Sequence, residues 1–268
     1  MLKDITIGQY FPGNTIIHRL DPRTKLILVI VYIAALFTAR EWLSYGLMLA
    51  VTCAIVAVSR ISPRTLTRGM KPLVFIICFT GVLNLFYTTG GTTLLDWWIF
   101  HVTTDGVKRA VMMVVRILML ISGTFLLTYT TSPMALTDGL EMLLNPLKKI
   151  RVPIHEMSMM MSMALRFIPT LIEETDKIMS AQRARGADFE TGRLMERAKA
   201  LLPLLVPLFV SSFRRADELA VAMESRCYHG GEGRTRMKQL RMARRDYLAL
   251  FSGAALLAVV IVMNVYGL

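Results

Sequence analysis

The sequence predicts an all-α integral membrane protein, with about five transmembrane helices and a cytoplasmic module of amphipathic helices inserted before the last span. Three observations carry this reading. Of 268 residues, 54% are apolar and the mean hydropathy is +0.51, more hydrophobic surface than one soluble core of this size uses, so part of it faces lipid. Charged residues stand in blocks between apolar runs, which separates loops from spans. One long stretch, 132–246, is strongly basic and still carries apolar residues at helical spacing.

Residues 1–25 are polar and contain Pro12, Gly13 and Pro22, so they lack the apolar centre of a cleaved signal peptide and insertion falls to the first true span. Apolar runs follow at 26–39, 42–58, 72–87, 110–131 and 247–266. A membrane helix needs roughly 20 residues. The first run is therefore short, and it is expected to borrow 22–25, whose basic side chains would snorkel to water. Arg40 and Glu41 form a tight polar tip before the second run. Residues 88–106, β-branched and aromatic around Asp96, predict a short hairpin at the interface. Lys and Arg number four in 1–25, four in 60–71 and nineteen in 132–246, against Arg40, Lys108 and Arg109 on the other side. That asymmetry places the N-terminus and the long segment in the cytoplasm of a plasma-membrane protein. The chain then divides into 1–131 with four spans, the module 132–246, and the last span 247–268. The net charge of +12 resides in these loops, and with no nucleic-acid motif the bilayer is the expected partner, not nucleic acid.

Within the module, Ser132 and Pro133 read as cap and first residue of a helix whose Leu136, Leu140, Leu143 and Leu147 share a face. A second helix from near Pro153 carries Ile154, Met157, Met161, Ala164 and Ile168 on one stripe. Pro169 should kink it, and Gly186 should end it in a left-handed cap. A third helix, from about Thr191, contains an apolar stretch too short to span, with Pro203 and Pro207, and runs on to Arg226. Offset by 41 residues, Ile172, Asp176, Ile178, Ala181 and Arg185 match Phe213, Asp217, Leu219, Ala222 and Arg226. Each arginine precedes a flexible stretch, 186–188 or 228–231. A lone arginine near a helix C-terminus complements the helix dipole by about 0.3 to 1 kcal/mol. Two similar tips point further, to two partner copies whose acidic or carbonyl-lined grooves accept a guanidinium.

Five of the seven residues 157–163 are methionine and so circle the helix. They read either as core packing or as a soft surface able to repack against different partners. Arg116 is alone among apolar residues of the fourth span, either a functional intramembrane charge or a side chain snorkelling outward beside Lys108 and Arg109. Cys53, Cys78 and Cys227 show no CxxC pairing, and His18, His101, His155 and His229 lack metal-binding spacing. The patch Gly230-Gly231-Glu232-Gly233 has neither the lysine nor the strand of a phosphate-binding loop, so the chain itself is not expected to hydrolyse ATP.

Over nearly its whole length the chain resembles the transmembrane T component of energy-coupling factor transporters, a branch of the ATP-binding-cassette importers. The resemblance rests on Gly8-x-Tyr10-x-Pro12-Gly13-x-Thr15-x-x-His18-x-Leu20-Asp21-Pro22-Arg23-x-Lys25, which looks like the family's opening signature. It rests also on Ala184-Arg185-Gly186, the first coupling motif, and on Ser225-Arg226-Cys227 where the second is expected. The second triplet keeps the arginine but departs at both flanks, which predicts a helix end unlike the first. The resemblance implies a non-catalytic subunit that binds no cofactor, ATP and Mg being held by two cytosolic ATPases that each receive one tip. It further implies a membrane-embedded S component that binds a vitamin or other micronutrient and is moved by the T component. Met157, Met159, Met160 and Met163 are then assigned to docking the S component.

Two other classes compete. A stand-alone secondary transporter would show paired inverted repeats with broken spans, whereas the repeat here lies in the module. An intramembrane enzyme would need an acid, histidine or serine constellation, and the spans offer only Arg116 with hydroxyls such as Ser122 and Thr124.

Overall fold

Helix-starting residues placed ahead of apolar runs set the architecture of this computed structural model, which describes residues 10–87, 90, 93–97, 100–187, 189, 194–230 and 240–267. Gly8, Asp188, Thr191 and residues 231–233 lie outside the described residues. The chain forms two compact units, one of Gly8–Leu140 with Leu240–Leu268 and one holding Glu141–Gln239.

In the first unit, α1 (Pro22–Thr38) starts where Asp21 accepts the Arg23 N–H at 2.9 Å and Pro22 fills the first helical position. It is followed by α2 (Trp42–Ser59) and by α3 (Pro63–Met70), which continues through a 3-10 turn, Lys71–Leu73, into α4 (Val74–Tyr87). Strands β1 (Thr93–Trp97) and β2 (Phe100–Thr103) pair antiparallel with Asp96 opposite His101, the hairpin expected there. Next come α5 (Thr104–Thr130), capped by the Thr103 hydroxyl accepting the Gly106 N–H at 3.1 Å, and α6 (Pro133–Leu144). Ser132 caps α6 as expected, its hydroxyl accepting the Ala135 N–H at 3.3 Å. The last span is α9 (Arg244–Tyr266).

Among the described residues, four helical runs, against about five expected, are long and apolar enough to cross a membrane, namely Trp42–Ser59, Pro63–Tyr87, Thr104–Thr130 and Arg244–Tyr266. The protein is an all-α membrane protein. The first apolar run does borrow 22–25, yet α1 still has only 17 residues, about 26 Å at 1.5 Å each. The expected snorkelling fails at Lys25, which is 5% exposed. Its ammonium donates to the Thr130 carbonyl at 2.8 Å, the Thr131 hydroxyl at 3.2 Å and the His18 carbonyl at 3.3 Å. Asp246, 1% exposed, adds an attractive charge, so the compensation water would supply is supplied by protein. Asp246 also accepts the N–H groups of Asp21 and Ala243, each at 2.8 Å. One buried polar knot thus joins the starts of α1 and α9 to the end of α5. The core beside it includes Tyr32, Leu36, Met48, Met119 and Val260, with the Tyr32 and Thr52 hydroxyls 2.6 Å apart.

The opening signature folds around His18. Nε2 lies 3.1 Å from the Phe11 carbonyl, which can only accept, so Nε2 carries the proton and Nδ1 accepts from the Thr15 hydroxyl at 2.6 Å. Burial pushes the His18 pKa down, opposed by the Phe11 carbonyl and assisted by Lys25. Gly13 is required by close approach, because a Cβ there would stand 2.8 Å from the imidazole. Phe11 in turn donates its N–H to the Tyr129 carbonyl at 3.0 Å and packs edge-on against that ring.

In the second unit, a 3-10 segment (Asn145–Ile150) precedes α7 (Ile154–Ala184) and α8 (Leu194–Glu224), two packed helices of 31 residues, about 46 Å each. α7 runs through Pro169 and α8 through Pro203 and Pro207, so each proline removes one backbone hydrogen bond without ending its helix.

Candidate functional site: two arginine tips and the crossing behind them

The two tips are built from the backbone outward. At the end of α7, Gly186 takes φ +87, its N–H donates to the Arg183 carbonyl at 3.0 Å, and the Ala187 N–H reaches back to the Gln182 carbonyl at 3.0 Å. At the end of α8, Cys227 takes φ +57, its N–H donates to the Glu224 carbonyl at 2.9 Å, and the Tyr228 N–H reaches the Met223 carbonyl at 3.1 Å. Both are the same left-handed Schellman closure. The expectation of unlike helix ends is thereby corrected. The pattern of backbone bonds selects the conformation, and Cys227 accepts a φ that glycine would adopt without strain. Each closure leaves an exposed arginine, Arg185 or Arg226, one residue before the left-handed position. Ala184 and Ser225 are exposed beside them, and Ser225 donates its hydroxyl to the Ala222 carbonyl at 3.1 Å.

Behind the tips the helices are locked by residues that repeat reasoning had not singled out. Arg215 donates to Glu174 at 2.9 Å, Ser211 donates to the other Glu174 oxygen, and the Arg215 guanidinium lies 5.9 Å from the centre of the Phe167 ring. Glu174 and Arg215 are themselves 41 residues apart, so each occupies the other's equivalent place in the repeat. Around them the signs invert. Glu173 matches Arg214, Lys177 matches Glu218 and Arg183 matches Glu224, while Asp176 and Asp217, and the tip arginines, keep theirs. Where equivalent positions of the two repeats touch, as Glu174 and Arg215 do, like charges would repel and opposite charges pair. The signal was legible as charge inversion at a fixed offset. Arg185 lies eleven residues past Glu174 and Arg226 eleven past Arg215, about 16 Å of helix in each case.

The family model for the cobalt transport protein CbiQ matches residues 13–237. The chain is 54% identical over 263 residues to the energy-coupling factor transporter transmembrane protein EcfT of Thermosediminibacter oceani, covering 98% of both chains. It is 52% identical over 248 residues to that of Ruminiclostridium cellulolyticum, covering 92% of both, and 51% identical over 267 residues to that of Clostridium kluyveri, covering 99% of both. The chain belongs to the EcfT family. It is a multi-pass membrane component of an energy-coupling factor transporter.

In this EcfT-family chain the methionines divide. Met157 and Met160 are exposed at 47% and 60%, whereas Met159 and Met163 are half-buried. Met160 and Met163 line a groove of about 350 Å³ shared with Ala216, Leu219 and Met223 of α8. Met161, placed by spacing on the helix stripe, is exposed too. The apolar stretch of α8 is more open still, with Leu202, Val206, Phe209 and Phe213 between 56% and 68% exposed. Arg116 turns to the end of α1, donating to the Ala39 carbonyl at 2.9 Å with the Phe37 and Tyr45 rings 5.7 and 5.5 Å away. A cation there meets the negative end of the α1 dipole.

Proposed function

We propose that this chain is the non-catalytic coupling subunit of an energy-coupling factor importer, with the N-terminus and the helices of 132–246 in the cytoplasm. Two ATPases, which hold the ATP and Mg, each receive one tip, centred on Arg185 in Ala184-Arg185-Gly186 and on Arg226 in Ser225-Arg226-Cys227. A separate membrane-embedded S component binds the small nutrient. The observation that supports this best is the duplicated tip: one Schellman closure built twice, at equal distances from the Glu174–Arg215 pair, each presenting an unshielded guanidinium. A planar five-donor cation suits a groove of carboxylates or carbonyls. Because α7 and α8 are locked at Glu174, a displacement of either tip is carried along a continuous helix instead of being absorbed in a loop. The exposed Met157 and Met160 supply a soft surface for the S component, with Met159 and Met163 behind them.

Arg185→Ala and Arg226→Ala are each expected to reduce ATP-driven nutrient uptake about tenfold or more, since a charge-assisted contact left half-paired costs a few kcal/mol. The double change should abolish uptake while the chain still inserts. Wild-type uptake in the double variant would refute the coupling role. Cys227 gives an independent readout, being a free, exposed thiol inside the second tip. Its alkylation by a membrane-impermeant maleimide, added from the cytoplasmic face, should drop when the ATPases are bound.

A further inference from the structure

A second concentration of positive charge lies in the first unit. Arg60, Arg64, Arg68 and Lys71 are all exposed, and none has an ion pair among the described residues. They fall between the apolar stretches of α2, ending at Ser59, and of α4, with no acidic residue among them. Helical spacing sets Arg64, Arg68 and Lys71 on one face of α3 and its 3-10 extension, at steps of four and three. The opposite face is held by the protein, since Leu66 is 8% exposed and Gly69 abuts Phe125 and Tyr129 of α5. The cations therefore point away from the helix bundle, within a turn or two of hydrocarbon at either end.

Beside Arg60 lies a groove of about 680 Å³, lined by Asn14, Thr15, Ser62 and Thr65 together with the turn that ends α2, and containing no carboxylate. Ile16 and Val58, exposed at 67% and 48%, form its apolar margin. Guanidinium forks beside hydroxyls suit a phosphate oxygen, and an apolar margin at the same depth suits the first carbons of an acyl chain. Four or more basic residues immediately beside a span gather anionic lipid.

We propose that this groove, with Arg60 in its wall, is a binding site for the phosphate-bearing headgroup of an anionic phospholipid, to which the exposed cations of α3 add attraction. The level of the charges favours lipid over a soluble acidic protein, which would have to displace headgroups to reach them. The occupant would fix the α2–α3 turn against the opening signature loop that forms the other wall. The proposal does not depend on the ATPases.

The test is native mass spectrometry of the full chain in mild detergent, titrated with phosphatidylglycerol or phosphatidylcholine. Phosphatidylglycerol adducts are expected on the unmodified chain and should fall about tenfold in R60Q/R64Q/R68Q. They should be unchanged in R241Q/R244Q/R245Q, which removes equal charge at the start of α9, and phosphatidylcholine should bind weakly throughout. Equal loss in both triple variants, or equal binding of phosphatidylcholine, would overturn the proposal by showing diffuse attraction only. Displacement of the lipid by millimolar inorganic phosphate would overturn it in favour of a soluble-anion site.

Discussion

Gly186 and Cys227 occupy one backbone position in two copies of a helix end, and they carry unequal strain there. A left-handed φ costs a residue with a Cβ about 1 to 2 kcal/mol, and glycine nearly nothing. Gly186→Val should therefore weaken the first tip by more than 1 kcal/mol, since a β-branched residue tolerates φ +87 poorly. Cys227→Gly should relieve strain at the second. The expected outcome is an asymmetric pair: Gly186→Val lowers uptake although Arg185 is untouched, while Cys227→Gly retains it. Amide hydrogen exchange at 186–187 and 227–228 checks the cause directly, with faster exchange in the first variant and slower in the second. If Gly186→Val left exchange unaltered, the Schellman closure would not be what orders the arginine. The tip arginines were legible because their spacing repeats. The equality of the two closures was not, since Cys227 in place of glycine suggested a different turn, and only the shared backbone bonds show otherwise.

Helices α7 and α8 were foreseen from apolar spacing, proline positions and the terminal glycine, but what fixes them to each other was not. Pattern reading at an offset of 41 looked for identity, whereas the crossing is made by opposites. Glu174 is held by Arg215 and Ser211, with Phe167 beneath the guanidinium, and the pair's side chains are only 24% and 28% exposed. A partly buried network of this kind contributes on the order of 1 to 2 kcal/mol, above an isolated surface pair. Glu174→Arg should place like charges at the crossing and uncouple the two arms. Adding Arg215→Glu exchanges the partners, and the restored pairing of opposite charges predicts substantial rescue. The measurement is a double-mutant cycle in nucleotide-driven uptake, read beside co-purification of the ATPases. Additive losses without rescue would mean that the pair does not lock the crossing. α8 also exposes Leu202, Val206, Phe209 and Phe213, a face that the sequence showed to be apolar without showing that its own chain leaves it open.

At the scale of the whole chain, hydropathy located all four of the described helices that are long and apolar enough to cross a membrane, because lipid-facing surface announces itself in composition; the first of the five expected spans, α1, stays short at 17 residues. It misplaced one charge that matters to the assembly of those spans. Lys25 was expected in water, since a basic residue at the edge of an apolar run ordinarily snorkels, and no local pattern reveals three oxygens waiting in segments more than a hundred residues away or seven residues back. Asp246, read as the end of a polar loop, is the third residue of α9 and the acceptor for the Asp21 amide at the start of α1. The starts of α1 and α9 are thus joined through Asp246, with Lys25 near enough to feel its charge, and neither lipid nor water can satisfy either group once buried. Removing either charge leaves the other buried without its attractive neighbour and strands the groups that bonded to it, a loss of up to about 3 to 5 kcal/mol, the figure for breaking a buried pair outright. Asp246→Ala and Lys25→Ala are each expected to destabilise the folded chain by roughly that amount, measured by denaturant titration in detergent. The double variant Lys25→Met with Asp246→Leu removes both charges and fills the space, so it should recover stability relative to either single change. Stability recovered in the double variant would assign the cost to the unpaired charge. A double loss equal to the sum of the single losses would show instead that Lys25 and Asp246 hold the bundle through separate contacts, Lys25 through the end of α5 and Asp246 through the start of α1.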